Sequence, residues 1–142
     1  MKGGFTMENI PTWLPVVALA LFDENQRVLM QQRAVDRHHG GLWEFPGGKV
    51  ENGEIPRFAL VREIAEELSI ALDADQLVPQ AFAEEMGDKQ VVLFLYTSNQ
   101  KCSDVQALDG QNWGWFAPQE AQRLDLAPMD RTLLKQLLEQ CS

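Results

Sequence analysis

Residues 62–68 read REIAEEL. At helical spacing they set Glu63, Glu66 and Glu67 on one side of a turn, beside Arg62. Like charges three or four residues apart on a helix repel and cost stability. Either the carboxylates form a solvated acidic face, or a cation holds them together. Upstream, Pro56 suits a first helical turn, although Ile55 before it is a poor N-cap. Leu60, Val61, Ile64, Ala65 and Leu68 make an apolar side. At about 100° per residue the three glutamates fall in a separate arc. The pattern predicts a helix over 56–68 with a core face and a carboxylate face. Just upstream, the pair Gly47–Gly48 lets backbone approach a ligand closely, and Lys49 can meet a phosphate. Mg²⁺ takes oxygen ligands, usually a few carboxylates plus water and substrate phosphates. Glutamates on one helix face, opposite a glycine loop, meet that need.

The rest of the composition narrows the function classes. The chain has 142 residues, 45% hydrophobic and 23% charged, with net charge −9. That size fits one domain, 1–142, with a proper core, and 1–12 reads as a loose N-terminal segment. The acidic balance argues against binding a nucleic-acid polymer. It leaves room for a phosphate-bearing small molecule, because a bound divalent cation inverts the local field. Two cysteines, Cys102 and Cys141, make neither a disulfide framework nor a metal-ligand spacing, so a reducing cytoplasm is expected. The stretch WLPVVALALF (residues 13–22) lacks a basic flank and is too short to span a bilayer. It reads as a buried strand, and no membrane association is expected.

Along the chain, PVVALALF and RVLMQQ, joined by DENQ, read as a hairpin. LVPQAFAEE and QVVLFLYTS read as two strands joined by MGDK, and NWGWFAP as another. PQEAQRL and PMDRTLLKQLLEQ read as closing helices. The expected class is α/β. His38 and His39 lack a third ligand and read as surface residues or a pocket rim. Trp43, Trp113 and Trp115 read as core.

The segment GKVENGEIPRFALVREIAEELSI resembles the Nudix box, the signature of hydrolases that cleave nucleoside diphosphates linked to another group. Gly48, Glu54, Arg62, Glu63, Ile64, Glu66, Glu67 and Ile70 stand at its positions; Ser69 departs, standing where Gly would end the helix in a left-handed conformation. QQRAVDRHHGGLWEFPGGKVE and LAPMDRTLL are similar to the MutT branch and to its sibling that acts on CTP-type nucleotides. The resemblance implies a Nudix α/β/α sandwich with a mixed β-sheet, and Mg²⁺ (or Mn²⁺) as cofactor. It implies Glu63 as metal ligand and general base, Arg62 as the residue that orients the glutamates, and Glu66, Glu67 and the Gly47 carbonyl as further ligands. Asp109, six residues before Trp115, matches a loop carboxylate of the branch, where Glu is usual; it is a ligand or base, or a turn residue. Arg33 and Lys49 match phosphate contacts, and Lys89 a basic substrate contact. Glu44 and Phe45 match the pocket floor, although Phe45 also suits plain core packing. Asp130 matches a residue that reads the base edge, or a helix N-terminal Asp favoured by the dipole.

The activity implied is hydrolysis of 8-oxo-dGTP to 8-oxo-dGMP and pyrophosphate, which sanitises the nucleotide pool and lowers mutation. The alternatives are a pyrophosphohydrolase for CTP or 5-methyl-CTP, and a Nudix-like module that binds a nucleotide without cleaving it. The partner expected is a small nucleotide, and the chain itself is expected to be a monomer or weak dimer.

Overall fold

The run Leu14–Leu21 is apolar without alternation, and its place in the fold explains why. A computed structural model of the chain describes residues 12–37, 39–102 and 104–141. His38 and residues 1–11 of the expected loose segment lie outside them. Strand β1 (Leu14–Leu21) is hydrogen-bonded on both sides and covered on both faces. Val17, Leu19 and Leu21 pack towards one helix, while Ala18 and Ala20 pack into a second core on the other face. A strand buried on both faces needs a continuous apolar run.

The remaining elements are β2 (Val28–Gln32), β3 (Trp43–Glu44), β4 (Gly47–Lys49), α1 (Pro56–Leu68), a short 3₁₀ turn at Ala74–Gln76, β5 (Val78–Glu85), β6 (Val91–Ser98), β7 (Asn112–Phe116), α2 (Pro118–Ala121) and α3 (Pro128–Cys141). One sheet has the order β4-β1-β6-β5, with β1 and β6 parallel and the other pairs antiparallel. A second, antiparallel sheet has the order β3-β2-β7. Ala59, Leu60, Ile64 and Leu68 of α1 join one core, and Leu133, Leu134 and Leu137 of α3 join the other. The result is the expected α/β/α arrangement with a mixed sheet. Trp43 and Trp115 pack against the two cores as expected, whereas Trp113 is 37% exposed. Among the described residues no helix is long and apolar enough to cross a membrane.

The expected β1–β2 hairpin needs correcting. The two strands meet only at one bridge, Phe22 to Val28, and then diverge into different sheets. Both hydrogen-bonding edges of β1 are taken by β4 and β6, so β2 finds its partners in β3 and β7.

Helix α1 begins and ends where the sequence predicts. Ile55 makes no side-chain cap, and Pro56 opens the helix. Ser69 closes it in the left-handed region, at φ 58° and ψ 33°, and donates its N–H to the Ala65 carbonyl. A non-glycine residue there carries strain of about 1 kcal/mol. Ser69→Gly is therefore expected to raise stability by about 1 kcal/mol, seen as a melting temperature higher by about 2–4 °C. An unchanged or lower melting temperature would show that the serine costs nothing there.

Candidate active site

Strand β4 and helix α1 build the site against each other. Gly47 pairs with Ala18 and Gly48 with Val17. A Cβ on Gly47 would strike the Val17 carbonyl oxygen, so glycine is what lets β4 approach β1. A Cβ on Gly48 would occupy the space held by the Glu63 carboxylate. The glycine pair thus serves two needs: close strand pairing and a cradle for one side chain of α1.

Arg62 ties the helix to the loop before it. Its guanidinium donates to both Glu54 oxygens, at 2.7 and 2.9 Å, and to the Lys49 carbonyl at 3.1 Å. It also stands 3.4 Å from Glu66 and 3.6 Å from Glu63. These hydrogen bonds hold the Glu54 carboxyl down at about 2. Arg62 thus stands against Glu54, Glu66 and Glu63 at once.

The three glutamates are not equivalent. Glu66 is 58% exposed and turns to Arg62. Glu63 is largely covered and lies beside Glu67. Burial pushes the Glu63 carboxyl up, and it pushes Glu67 up to about 8, reinforced by the charge of Glu63. Two half-buried carboxylates side by side make ionisation of the second costly, and a cation placed between them would relieve that cost. One Glu67 oxygen, Oε1, is buried and finds no hydrogen-bond partner among the described residues. An orphaned buried carboxylate oxygen needs a partner, and a hard cation meets that need. Among the described residues no three Asp, Glu, His or Cys side chains stand together as a ready ligand set. What the fold does bring together is the Glu63–Glu67 pair, with Asp109 close enough to raise Glu67 by its charge. Gly47, Glu67 and Asp109 line one small opening of about 120 Å³. Carboxylates plus a backbone carbonyl suit Mg²⁺ or Mn²⁺.

The wall of the same opening carries Arg33, Glu44 and Arg37. Glu44 accepts from Arg33 Nε at 3.0 Å and from Gln31 Nε2 at 3.1 Å. Lys49 ends β4 with an exposed side chain, and Lys89 is exposed in the β5–β6 turn; neither lines the opening. The Phe45 ring is 2% exposed and packs in the core, so what this residue presents near the site is its backbone. Its N–H donates to Asp130 Oδ2 at 2.9 Å. Asp130 lies in the first turn of α3, 5% exposed. Burial, then the charge of Glu44, pushes its carboxyl up to about 7.

Sequence reasoning missed Gln31, Gln111 and Arg37. Gln31 and Gln111 are buried at 5% and 9% exposure. Their only signal in the chain is polarity at positions that turn out to face inward. A larger cavity of about 680 Å³ lies towards the far end of α3, between Phe22, Gln80, Thr97 and Leu137. Among the described residues, no charged side chain lines it.

The NUDIX domain family matches residues 12–137. A CTP pyrophosphohydrolase of Escherichia coli (strain K12) is 35% identical over 119 residues, covering 84% of this chain and 87% of that protein. An 8-oxo-dGTP diphosphatase of Proteus vulgaris is 36% identical over 83 residues, 58% of this chain and 73% of that one. Among solved structures, that of the E. coli ORF135 protein superposes with a TM-score of 0.81 at 32% identity, covering 92% of each chain.

Proposed function

The chain belongs to the Nudix family, and from that premise we propose that it hydrolyses 8-oxo-dGTP to 8-oxo-dGMP and pyrophosphate, with Mg²⁺. At the coarser level it is a nucleotide pyrophosphohydrolase, a hydrolase of phosphoric anhydrides. The observation that carries the chemistry is the Glu63–Glu67 pair, set over the Gly48 cradle with one orphaned oxygen.

Glu63, Glu67 and the Gly47 carbonyl would hold the cation, with Glu66 and Asp109 as the further oxygen donors. When bound, it lowers the pKa of water and offsets polyphosphate charge. Glu63 takes the proton of the attacking water. The water oxygen bonds to phosphorus as the α–β anhydride bond breaks, and pyrophosphate leaves. Arg33 and Lys49 meet the phosphates, Arg33 with a bidentate fork and Lys49 as a point charge. Lys89 supplies a basic contact from the β5–β6 turn.

Asp130 supports a reading of the base. When protonated, the Asp130 carboxyl offers one O–H donor beside acceptor oxygens, one of which already takes the Phe45 N–H. In 8-oxo-guanine the N7–H donor stands beside the O6 acceptor, whereas guanine presents two acceptors on that edge. Cytosine also pairs a donor, its amine, with an acceptor. That match, together with the likeness to a CTP pyrophosphohydrolase, favours CTP or 5-methyl-CTP as the second reading. The deciding experiment is pyrophosphate release from 8-oxo-dGTP, dGTP, CTP and 5-methyl-dCTP at equal concentration. Preference for 8-oxo-dGTP supports the leading substrate; preference for the pyrimidines moves the chain to the second reading.

Asp130 also carries a pH prediction. Its folded pKa of about 7 lies above its ordinary 3.8. The native state therefore holds this proton more tightly. That contribution to stability is fully present below about pH 4 and is lost as pH rises through 7. It amounts to a few kcal/mol, on the order of one for each pH unit between the two values. Asp130→Asn keeps an acceptor for the Phe45 N–H and removes the titration. Chemical denaturation at pH 5 and pH 8 is expected to show a smaller difference in the variant. An equal pH dependence in both proteins would place the titrating group elsewhere.

A further inference from the structure

The last carbonyls of a helix have no partner within it. In α1 they are taken by the loop that carries Asp109. Leu68 O accepts the Gln106 N–H at 3.0 Å, and Glu67 O accepts the Leu108 N–H at 2.9 Å. A side chain joins them: Gln111 Nε2 donates to Glu67 O at 3.2 Å, while its Oε1 accepts the Asp109 N–H at 2.9 Å. The amide therefore spans from the turn at Asp109, where Gly110 has φ 73°, to the residue whose carboxylate lies in the site. The same Nε2 also meets Gln31 Oε1 at 3.5 Å, and Gln31 Nε2 donates to Glu44 at 3.1 Å.

We propose that Gln111 is a positioning residue, a latch that fixes the Asp109 turn to the end of α1 and so sets where the Asp109 carboxylate stands relative to Glu67. This rests on the pyrophosphohydrolase reading, in which Asp109 contributes an oxygen to the site. Only an uncharged amide of this length does both jobs. Glutamate keeps the acceptor for Asp109 but cannot donate to Glu67 O. Leucine of similar size does neither. The two backbone hydrogen bonds from Gln106 and Leu108 remain in either variant, so the loop stays attached while the turn at Asp109 loses its register.

The test uses Gln111→Leu, Gln111→Glu, Asp109→Ala and the double variant Asp109→Ala/Gln111→Leu. Two readouts are taken: Mg²⁺-dependent pyrophosphate release, and Mn²⁺ affinity without nucleotide, from the electron paramagnetic resonance of free Mn²⁺. Misplacing a catalytic group by about 1 Å costs up to about 10²-fold. Both Gln111 variants are expected to lower kcat by roughly 10- to 100-fold with little change in KM, and to weaken Mn²⁺ binding as much as Asp109→Ala does. The double variant is expected to be no worse than Asp109→Ala alone, because residues that act as one unit are not additive. Gln111→Glu guards against a fold lost in the leucine variant, and thermal melts identify such a loss. Additive losses in the double variant, or Mn²⁺ affinity unchanged in both Gln111 variants, would overturn the latch. If Asp109→Ala itself leaves Mn²⁺ affinity unchanged, the latch also falls while the role of Glu63 stands. If the wild-type protein releases no pyrophosphate, the functional reading falls and the Mn²⁺ titration still decides the latch.

Discussion

Glu63→Gln is expected to lower kcat by about 10²–10⁴-fold, the range a general base supplies, with the fold intact. Glutamine has the same length and fits the same cradle over Gly48. It can still accept a hydrogen bond and offer one oxygen, but it cannot take a proton from water. The change also removes the charge of Glu63 that, with burial, raises the cost of ionising Glu67. Metal-free stability is therefore expected to hold or rise while turnover collapses. Steady-state turnover of 8-oxo-dGTP, read beside a thermal melt, separates the two effects. Near-normal turnover in a folded variant would remove Glu63 from the role of base and shift attention to Glu66, Glu67 and Asp109.

Gly48→Ala is expected to cost activity almost as heavily, for a steric reason. The atoms an added Cβ would meet all belong to the Glu63 carboxylate, the far end of a side chain that can swing away. The backbone has no need to move, so the melting temperature is expected to stay within about 2–4 °C of wild type, the shift of about 1 kcal/mol. The displaced carboxylate, however, leaves its working position, and a loss of about 10²-fold in kcat follows from misplacement alone. Gly47→Ala gives the contrast. There the added atom meets the Val17 carbonyl and the Ala18 Cα, which are backbone of the central strand. That variant is expected to lose about 1–3 kcal/mol of stability through overpacking. Adjacent glycines with opposite phenotypes, one in activity and one in stability, would confirm the division of labour. Equal destabilisation by both substitutions would refute it.

Much of this arrangement was legible before any coordinates. Helix α1 could be bounded because Pro56 and the Leu60–Ile64–Leu68 spacing are local signals, and local signals are what a sequence shows directly. The departure at Ser69 was also legible, and the chain adopts the left-handed conformation there without glycine. The partnership of β1 was not. A turn flanked by two apolar runs looks like a hairpin, but strand choice depends on β4 and β6, and β6 lies some seventy residues downstream, so the competition between partners is not local. Burial was the second blind spot. Spacing alone put Glu63, Glu66 and Glu67 on one arc, yet the fold covers Glu63 and Glu67 and leaves Glu66 at the surface beside Arg62. The same limit applies to Phe45, whose ring turns into the core, and to Gln31 and Gln111, whose side chains make sense only once β2 and β7 are paired against the end of α1.

The identity of the products distinguishes this hydrolysis from other nucleotide chemistry. 8-oxo-dGTP would be incubated with the protein and Mg²⁺, and the products resolved by phosphorus nuclear magnetic resonance. The expected result is 8-oxo-dGMP and pyrophosphate in equal amounts, abolished by a chelator and formed about 10²–10⁴-fold more slowly with Glu63→Gln. Orthophosphate and a nucleoside diphosphate, or turnover that the chelator and the Glu63 substitution both leave undiminished, would contradict it.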